Sequence, residues 1–274
     1  NLSELTGDIN RATAYASEIH YSGTLPFEIV YQVLSTSLPL VAGEKQSSSP
    51  VMKDMISPME NTVYFLPNSD ARQSQIYFYI PMGDYNREEN VRREAFNQYI
   101  SGGFSGLIMN EIREKNSMAY TAYGFASSCG LPGAQTYFSG YIGTQNDKAV
   151  DAIDLYMKLL TDMPERPGRI DNIKSYLRQS ALTDHPDSRN LSLRIAEWKR
   201  RGYTDDPAKK ELPLIDSLTF PDIVDYYQKN IKGKPIIIGV LGNPKDISID
   251  ALKKFGKVIR LNEKKLFNEK DTMF

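Results

Sequence analysis

Two side chains in this 274-residue chain have the types and spacing to recognise a carbonyl: Arg113 and Tyr120, seven positions apart. A guanidinium presents its donors in a fixed fork and a phenol adds one more, so the pair brought to one sheet edge can hold a carbonyl oxygen. On spacing alone, a surface Arg113 paired with Glu111 or Glu114, beside a Tyr in a sheet, accounts for the same residues. Other chemistries find little material. The two histidines, His20 and His185, lie 165 positions apart, and neither stands in the helical spacing that zinc peptidases use. His20 is flanked by Ile19 and Tyr21 in a β-like run and reads as a sheet residue. His185 precedes Pro186 in a polar turn and reads as solvent-facing, so no Ser–His–Asp set acquires a base. The one cysteine, Cys129, excludes an internal disulfide and a four-Cys zinc site, and beside Gly130 it reads as an ordinary thiol. Gly102–Gly106 is glycine-rich but lacks the preceding strand and the following Lys-Ser/Thr of a phosphate loop. It reads as a helix break or tight packing point.

Charge and hydrophobicity narrow the classes further. Lys and Arg number 33 against 34 Asp and Glu, a net charge of −1, which leaves no excess to neutralise phosphates, so no nucleic-acid partner is expected. The longest apolar stretches, such as Pro235–Gly242, fall far short of the roughly 20 residues of a membrane span. The length suits one large domain, or one domain plus part of another. Because the first residue is Asn1 and the first methionine is Met52, the chain reads as a processed or engineered piece of something longer. A chain without cysteine pairs suits either a reducing cytosol or a periplasm, so localisation stays open between cytoplasmic and periplasmic.

The elements around Arg113 and Tyr120 follow from periodicity. Glu88–Ser101 reads as a helix broken by Gly102–Gly103, and helical spacing resumes over Phe104–Lys115 through Leu107, Ile108 and Ile112. Arg113 then sits at a helix end, and Tyr120 opens a strand over Met118–Ser127. Gly130–Gly133 turns the chain into a second strand, Gln135–Thr144. Upstream, Asn61–Leu66 and Gln73–Pro81 read as strands joined by the turn Pro67–Asp70, the second alternating Ile76, Phe78 and Ile80 with Gln75, Tyr77 and Tyr79. Downstream, Asp147–Asp162, Arg169–Ser180, Ser188–Arg201 and Phe220–Lys232 read as helices, with the cations Lys199–Arg200–Arg201 suiting a helix C-terminus. Lys234–Leu241 reads as a buried strand, Ile247–Phe255 as a helix and Lys257–Leu261 as a closing strand. Antiparallel strand pairs grouped between runs of helices predict an α+β fold, an antiparallel sheet with helices packed on one face.

The N-terminal part reads differently. Residues 1–18 carry no strong pattern, Glu18–Gly23 is short and β-like, and Pro26–Leu38 has helical spacing with Pro26 at its start. Gly43–Pro58 is polar and Ser-rich, an extended linker. The run Ile19–Pro26 before a helix echoes Ile238–Pro244 before a helix. Residues 1–50 are therefore expected to be the closing strand and helix of a preceding domain plus its linker, and 51–274 one complete α+β domain.

The ordered motifs carry a resemblance. Gly102-Gly103-Phe104-Ser105-Gly106-Leu107, then Ile112-Arg113-Glu114-Lys115, then Met118-Ala119-Tyr120 resemble the signature of the second half of the insulinase-like zinc peptidases, the pitrilysin and mitochondrial-processing-peptidase relatives. Gly106 stands where that family usually has Arg. Val63–Leu66 and Arg72–Ile76 resemble its opening strands, Arg194–Gly202 and Phe220–Val224 its late helices, and Ile238–Pro244 its last strand and turn. The resemblance implies the C-terminal part of a zinc metalloendopeptidase built as a clamshell of similar domains. Zinc, its ligands and the general base would belong to an N-terminal zinc-bearing half or subunit, with no catalytic residue, metal ligand or cofactor in this chain. Arg113 and Tyr120 would hold the backbone of a peptide substrate near the zinc. The alternative it permits is a non-catalytic scaffold or partner subunit of the same fold, as in the inactive core subunits of respiratory complexes.

Overall fold

A computed structural model of the protein describes residues 2–12, 18–37, 54–184 and 186–266, so His185 and most of the Gly43–Pro58 linker lie outside the described residues. In chain order, helices α1 (Leu2–Ala12) and α2 (Phe27–Ser37) precede strands β1 (Thr62–Pro67) and β2 (Gln73–Asp84). Helix α3 (Asn90–Ser101) and the single turn α4 (Leu107–Met109) lead to β3 (Thr121–Ser127) and β4 (Gln135–Gln145). Next come α5 (Ala149–Thr161), α6 (Ile170–Thr183), α7 (Leu191–Arg200), α8 (Ala208–Ser217) and α9 (Phe220–Asn230). Strand β5 (Ile237–Gly242), α10 (Ile249–Leu252), β6 (Lys257–Arg260) and α11 (Glu263–Leu266) complete the described order.

These elements form two compact units, one from the described residues of 1–53 with 184–204, the other from those of 54–183 with 205–274. In the first, α2 and α7 bury no residue, and Leu2, Phe27 and Tyr31 are each more than 60% exposed. Glu18–Gly23, expected as β-like, is irregular. Its groups bond outside any strand: the Tyr21 hydroxyl accepts from the Leu25 N–H at 2.9 Å in a local turn, and Ser22 Oγ donates to the distant Ser188 O at 3.1 Å. The echo between Ile19–Pro26 and Ile238–Pro244 is thus one of sequence, since only the latter contains a strand. His20 accordingly is not a sheet residue.

The second unit is built on one six-stranded sheet in the order β3-β4-β2-β5-β1-β6. β3, β4, β2 and β5 pair antiparallel, while β1 runs parallel to both β5 and β6. The α+β class holds, with a mixed sheet in place of a purely antiparallel one. The turn after β1 does not close a hairpin, because β5 is inserted between β1 and β2. That position suits β5, which has Ile238 and Val240 buried and a partner on each side. At the far edge Gly256 has φ 151° and lies against Asn61, whose carbonyl oxygen is 2.2 Å from where a Cβ would sit, so only glycine lets β6 begin there.

Alternation decides the two faces of the sheet. Val63, Phe65, Ile76, Phe78, Ile80, Phe138, Ile142, Ile238 and Val240 share one core with side chains of α3, α5, α6 and α9. The other face carries Tyr64, Tyr77, Tyr79, Tyr123, Phe125, Tyr137 and Tyr141, all half-covered or exposed. Tyr77 and Tyr123 flank Tyr141 at ring separations of 5.1 and 5.3 Å, and burial, with those two phenols adding, pushes the Tyr141 pKa up. Helix α8 has no counterpart in the sequence expectation, since Pro213 interrupts its pattern while the helix runs through it.

Candidate functional site

The helix leading to Arg113 is not the single α-helix that its periodicity suggests. Gly102 ends α3 by donating its N–H to Gln98 O at 2.9 Å, and Gly103 takes φ 58° to open a 3₁₀ turn, Gly103–Ser105. At Gly106 a Cβ would come within 2.7 Å of the Ser101 backbone, so the position that departs from the family frame is packed for glycine. After the single turn of α4, Asn110–Lys115 is a π-helix. Such wide turns are uncommon and concentrate at functional sites. Leu107, Ile108 and Ile112 are fully buried and fix this segment to the core.

Side-chain bonds then hold the π-turn. Glu111 is gripped by Arg166 and by Lys115, the latter at 2.9 Å, and Asn110 Oδ1 accepts from Arg166 at 3.2 Å. The Ser117 N–H donates to Arg113 O and the Met118 N–H to Ile112 O, both at 2.9 Å, and Asn116 Nδ2 donates to Glu111 O at 2.7 Å. Ser117 takes φ 50°, a left-handed conformation uncommon outside glycine, and this reverses the chain within two residues of the helix end. Tyr120 sits one position before β3, tied to β4 through its N–H to Gly143 O at 3.2 Å.

The outcome is that Arg113 and Tyr120 meet. The guanidinium carbon lies 5.4 Å from the Tyr120 ring centroid, over its face. Glu111 is committed elsewhere, and the Glu114 carboxylate stands 3.6 Å from Arg113 Nε. The Tyr120 side is open, with the residue 78% exposed. Both line a cleft of about 500 Å³ that also draws Gln73 from β2, Gln145 from β4, and Lys148. Lys148 Nζ donates to Ser117 O at 3.4 Å. The cleft therefore gathers a planar cation, a phenol and an ammonium around an open space, an arrangement of donors for an oxygen acceptor.

Sequence reading identified Arg113 and Tyr120 but not Lys148, Gln73 or Gln145, which come from separate strands and a helix start. One signal pointed to Lys148: it lies at the N-terminal end of the helical run leading into α5, where the helix dipole disfavours a cation. His20 Nε2 has the Glu18 carboxylate at 3.8 Å, and no grouping of three or more His, Cys, Asp or Glu able to hold a metal occurs among the described residues. Nor is any helix of the described residues long and apolar enough to cross a membrane.

Fold and site together define an α+β unit that presents hydrogen-bond donors in a cleft. Residues 35–167, just under half of the chain, match the family model described as the peptidase M16 inactive domain, which bears out the resemblance read from the motifs. A protein of Streptomyces coelicolor described as an uncharacterized zinc protease is 27% identical over 162 residues, 56% of this chain and 33% of that protein. The peptidase M16 inactive domain from Pseudomonas fluorescens superposes with TM-score 0.59 at 16% identity, covering 79% of this chain and 50% of that one. A chain of Complex III2 from Candida albicans gives TM-score 0.57 at 13% identity, covering 82% and 54%. At these identities the structural matches speak to fold. The chain spans about a third of the curated relative and about half of these two solved chains.

Proposed function

We propose that the chain is the substrate-clamping C-terminal part of a zinc metalloendopeptidase, in which Arg113 and Tyr120 donate hydrogen bonds to a backbone carbonyl of a bound peptide. In this reading residues 1–50 close a preceding domain and connect to the clamp. The exposed apolar faces of α1 and α2 support that, since they have the composition of surfaces that pack against something. Zinc and its ligands belong to an N-terminal half or subunit, which this chain meets as partner. Within this chain the π-turn and the Ser117 reversal hold the two donors in place before substrate arrives, so little reorganisation is needed on binding.

The observation that carries the reading is that Arg113 lies over the Tyr120 ring, 5.4 Å from its centroid, with both lining the same cleft. The planar guanidinium and the neighbouring phenol together offer several N–H and O–H donors to one carbonyl oxygen. The test is peptide hydrolysis by the complete enzyme, with the zinc-bearing half supplied on the same polypeptide or as a subunit. Arg113→Ala or Tyr120→Phe should lower kcat/KM by roughly tenfold or more, as for loss of one oxyanion-type donor. Zinc content and melting temperature should stay unchanged. Full activity in both variants would overturn the clamp.

A second reading, a non-catalytic scaffold or partner subunit, has its own support in the match to a Complex III2 chain and in Gly106, which replaces the family's usual Arg. A complete assembly that hydrolyses no peptide even before mutation would decide for it.

A further inference from the structure

We infer that Lys148 makes the cleft selective for a peptide that bears a carboxylate close to the carbonyl held by Arg113 and Tyr120; this rests on the clamp reading. A neutral carbonyl is served by a guanidinium and a phenol. An ammonium is a compact point charge on a flexible stem, and its reward comes from an anion rather than from a dipole. Here that charge is placed against local electrostatics. Lys148 ends the 3₁₀ turn Asn146–Lys148 that leads directly into α5, within the first turn of a helical run whose N-terminus carries partial positive charge, and Arg113 lines the same cleft. Glu114 is the one carboxylate lining it, 3.6 Å from Arg113 Nε, and the two acids flanking the start of α5, Asp147 and Asp151, are not among the lining residues.

Lys148 makes no ion pair among the described residues. Its contact is the long donation to Ser117 O at 3.4 Å, which leaves most of the ammonium's donor capacity for a ligand. The backbone beneath it is fixed. Asn146, buried two residues earlier, accepts from Ser74 Oγ at 2.7 Å and donates to Ala71 O at 2.8 Å, and its Oδ1 also meets the Asn243 N–H at 3.3 Å. Those bonds anchor the start of α5 to β2, to the loop before it and to the chain just after β5. A cation mounted on a rigid base, at the wrong end of a helix and without a protein carboxylate, is relieved by a bound anion. A carboxylate on the peptide supplies one without displacing the carbonyl from Arg113 and Tyr120.

The probes are short blocked peptides of uncharged sequence in which a single Glu is walked through every position, each with its Gln counterpart. Binding to the full chain is read by NMR, from the Arg113 side-chain Nε–H and the backbone amides of Ser117 and Lys148. At one or more positions the Glu probe should bind roughly fivefold or more tightly than its Gln partner, and the preference should shrink with added salt. Lys148→Gln should abolish the preference while the Gln probes bind as before, and Lys148→Arg should restore it. Arg113→Ala should weaken both probes alike. A Glu preference that survives Lys148→Gln, or no preference at any position while Arg113→Ala still weakens binding, overturns the role of Lys148 and leaves the clamp standing. Probes that bind without perturbing the Arg113 Nε–H, or that do not bind, bring down the clamp reading and this inference together.

Discussion

Along Tyr123–Ala126 the edge strand β3 is tied down, whereas three residues before that stretch Tyr120 stands free in the cleft. Helix α3 supplies the ties from three positions spaced four apart. Ser101 Oγ accepts from the Gly124 N–H at 2.8 Å, Asn97 Oδ1 accepts from the Ala126 N–H at 2.7 Å, and Asn97 Nδ2 and Arg93 both donate to Ala126 O, at 3.1 and 3.2 Å. The buried Tyr156 hydroxyl donates to Tyr123 O at 2.9 Å. An edge strand with open N–H and C=O groups is a template for pairing with another chain, and these side chains close that template where the strand meets α3. At the other end Tyr120 is 78% exposed under Arg113. The contrast separates two uses of polar groups within one short run of chain. Donors consumed by the protein hold it together, and donors held rigidly but left open are available for a ligand.

The strongest way to break the tied region is to fill the space under it. A Cβ at Gly124 would lie 2.5 Å from both Phe138 Cζ and the Tyr156 hydroxyl, and 3.0 Å from Ile108 Cδ1. Gly124→Val therefore forces Tyr156 and Phe138 to move. It adds an overpacking cost of about 1–3 kcal/mol to that of a buried hydroxyl stripped of its acceptor, also about 1–3 kcal/mol. We expect a loss near 3 kcal/mol or more, seen as a fall in melting temperature of roughly 6 °C or more. A melting temperature within a degree of the parent would show that the strand has room which the packing does not suggest.

The α+β class and the pair Arg113 and Tyr120 were legible in the sequence, and the ties from α3 to β3 were not. The alternation in Gln73–Pro81 identified the buried Ile76, Phe78 and Ile80, and the order of elements gave the α+β class, because those signals depend on neighbouring residues. The insertion of β5 between β1 and β2 was not legible. It depends on a pairing between residues about 175 positions apart, such as Thr62 with Ile237. The π-turn escaped for another reason, since α- and π-helices share an apolar period over so few residues. Arg113 and Tyr120 were found through a contiguous motif. Lys148 was missed because its place in the cleft follows from β4 lying between β3 and β2 in the sheet.

A smaller change probes the caps themselves. Asn97→Ala removes both bonds to Ala126 while Arg93 still donates to its carbonyl, so the Ala126 N–H is the group left without a partner. Leaving such a donor unmet costs about 1–3 kcal/mol where water cannot reach it, and less where it can. We expect about 1–2 kcal/mol by denaturant unfolding, together with faster hydrogen exchange at Ala126. Unchanged exchange at that amide would show that Asn97 is not what closes the edge.

The smallest effect is the most discriminating, because it removes the same atom from each region. Tyr156→Phe deletes a hydroxyl that is buried and donates to Tyr123 O, at a cost of about 1 kcal/mol. Burial, with Tyr123 adding to it, pushes the Tyr156 phenol well above its ordinary value, which sets the sign of an alkaline effect. The folded protein keeps this proton at pH values where the unfolded chain has lost it, so stability is fully present below about pH 10 and declines above it. Tyr156→Phe should flatten part of that decline. Tyr120→Phe deletes a hydroxyl at an exposed position, and its stability should stay within about 0.5 kcal/mol of the parent at neutral pH. A Tyr120→Phe loss equal to that of Tyr156→Phe would mean that the cleft phenol is spent on the fold after all. In that case the division between a structural strand β3 and the ligand-facing residue just before it would fail.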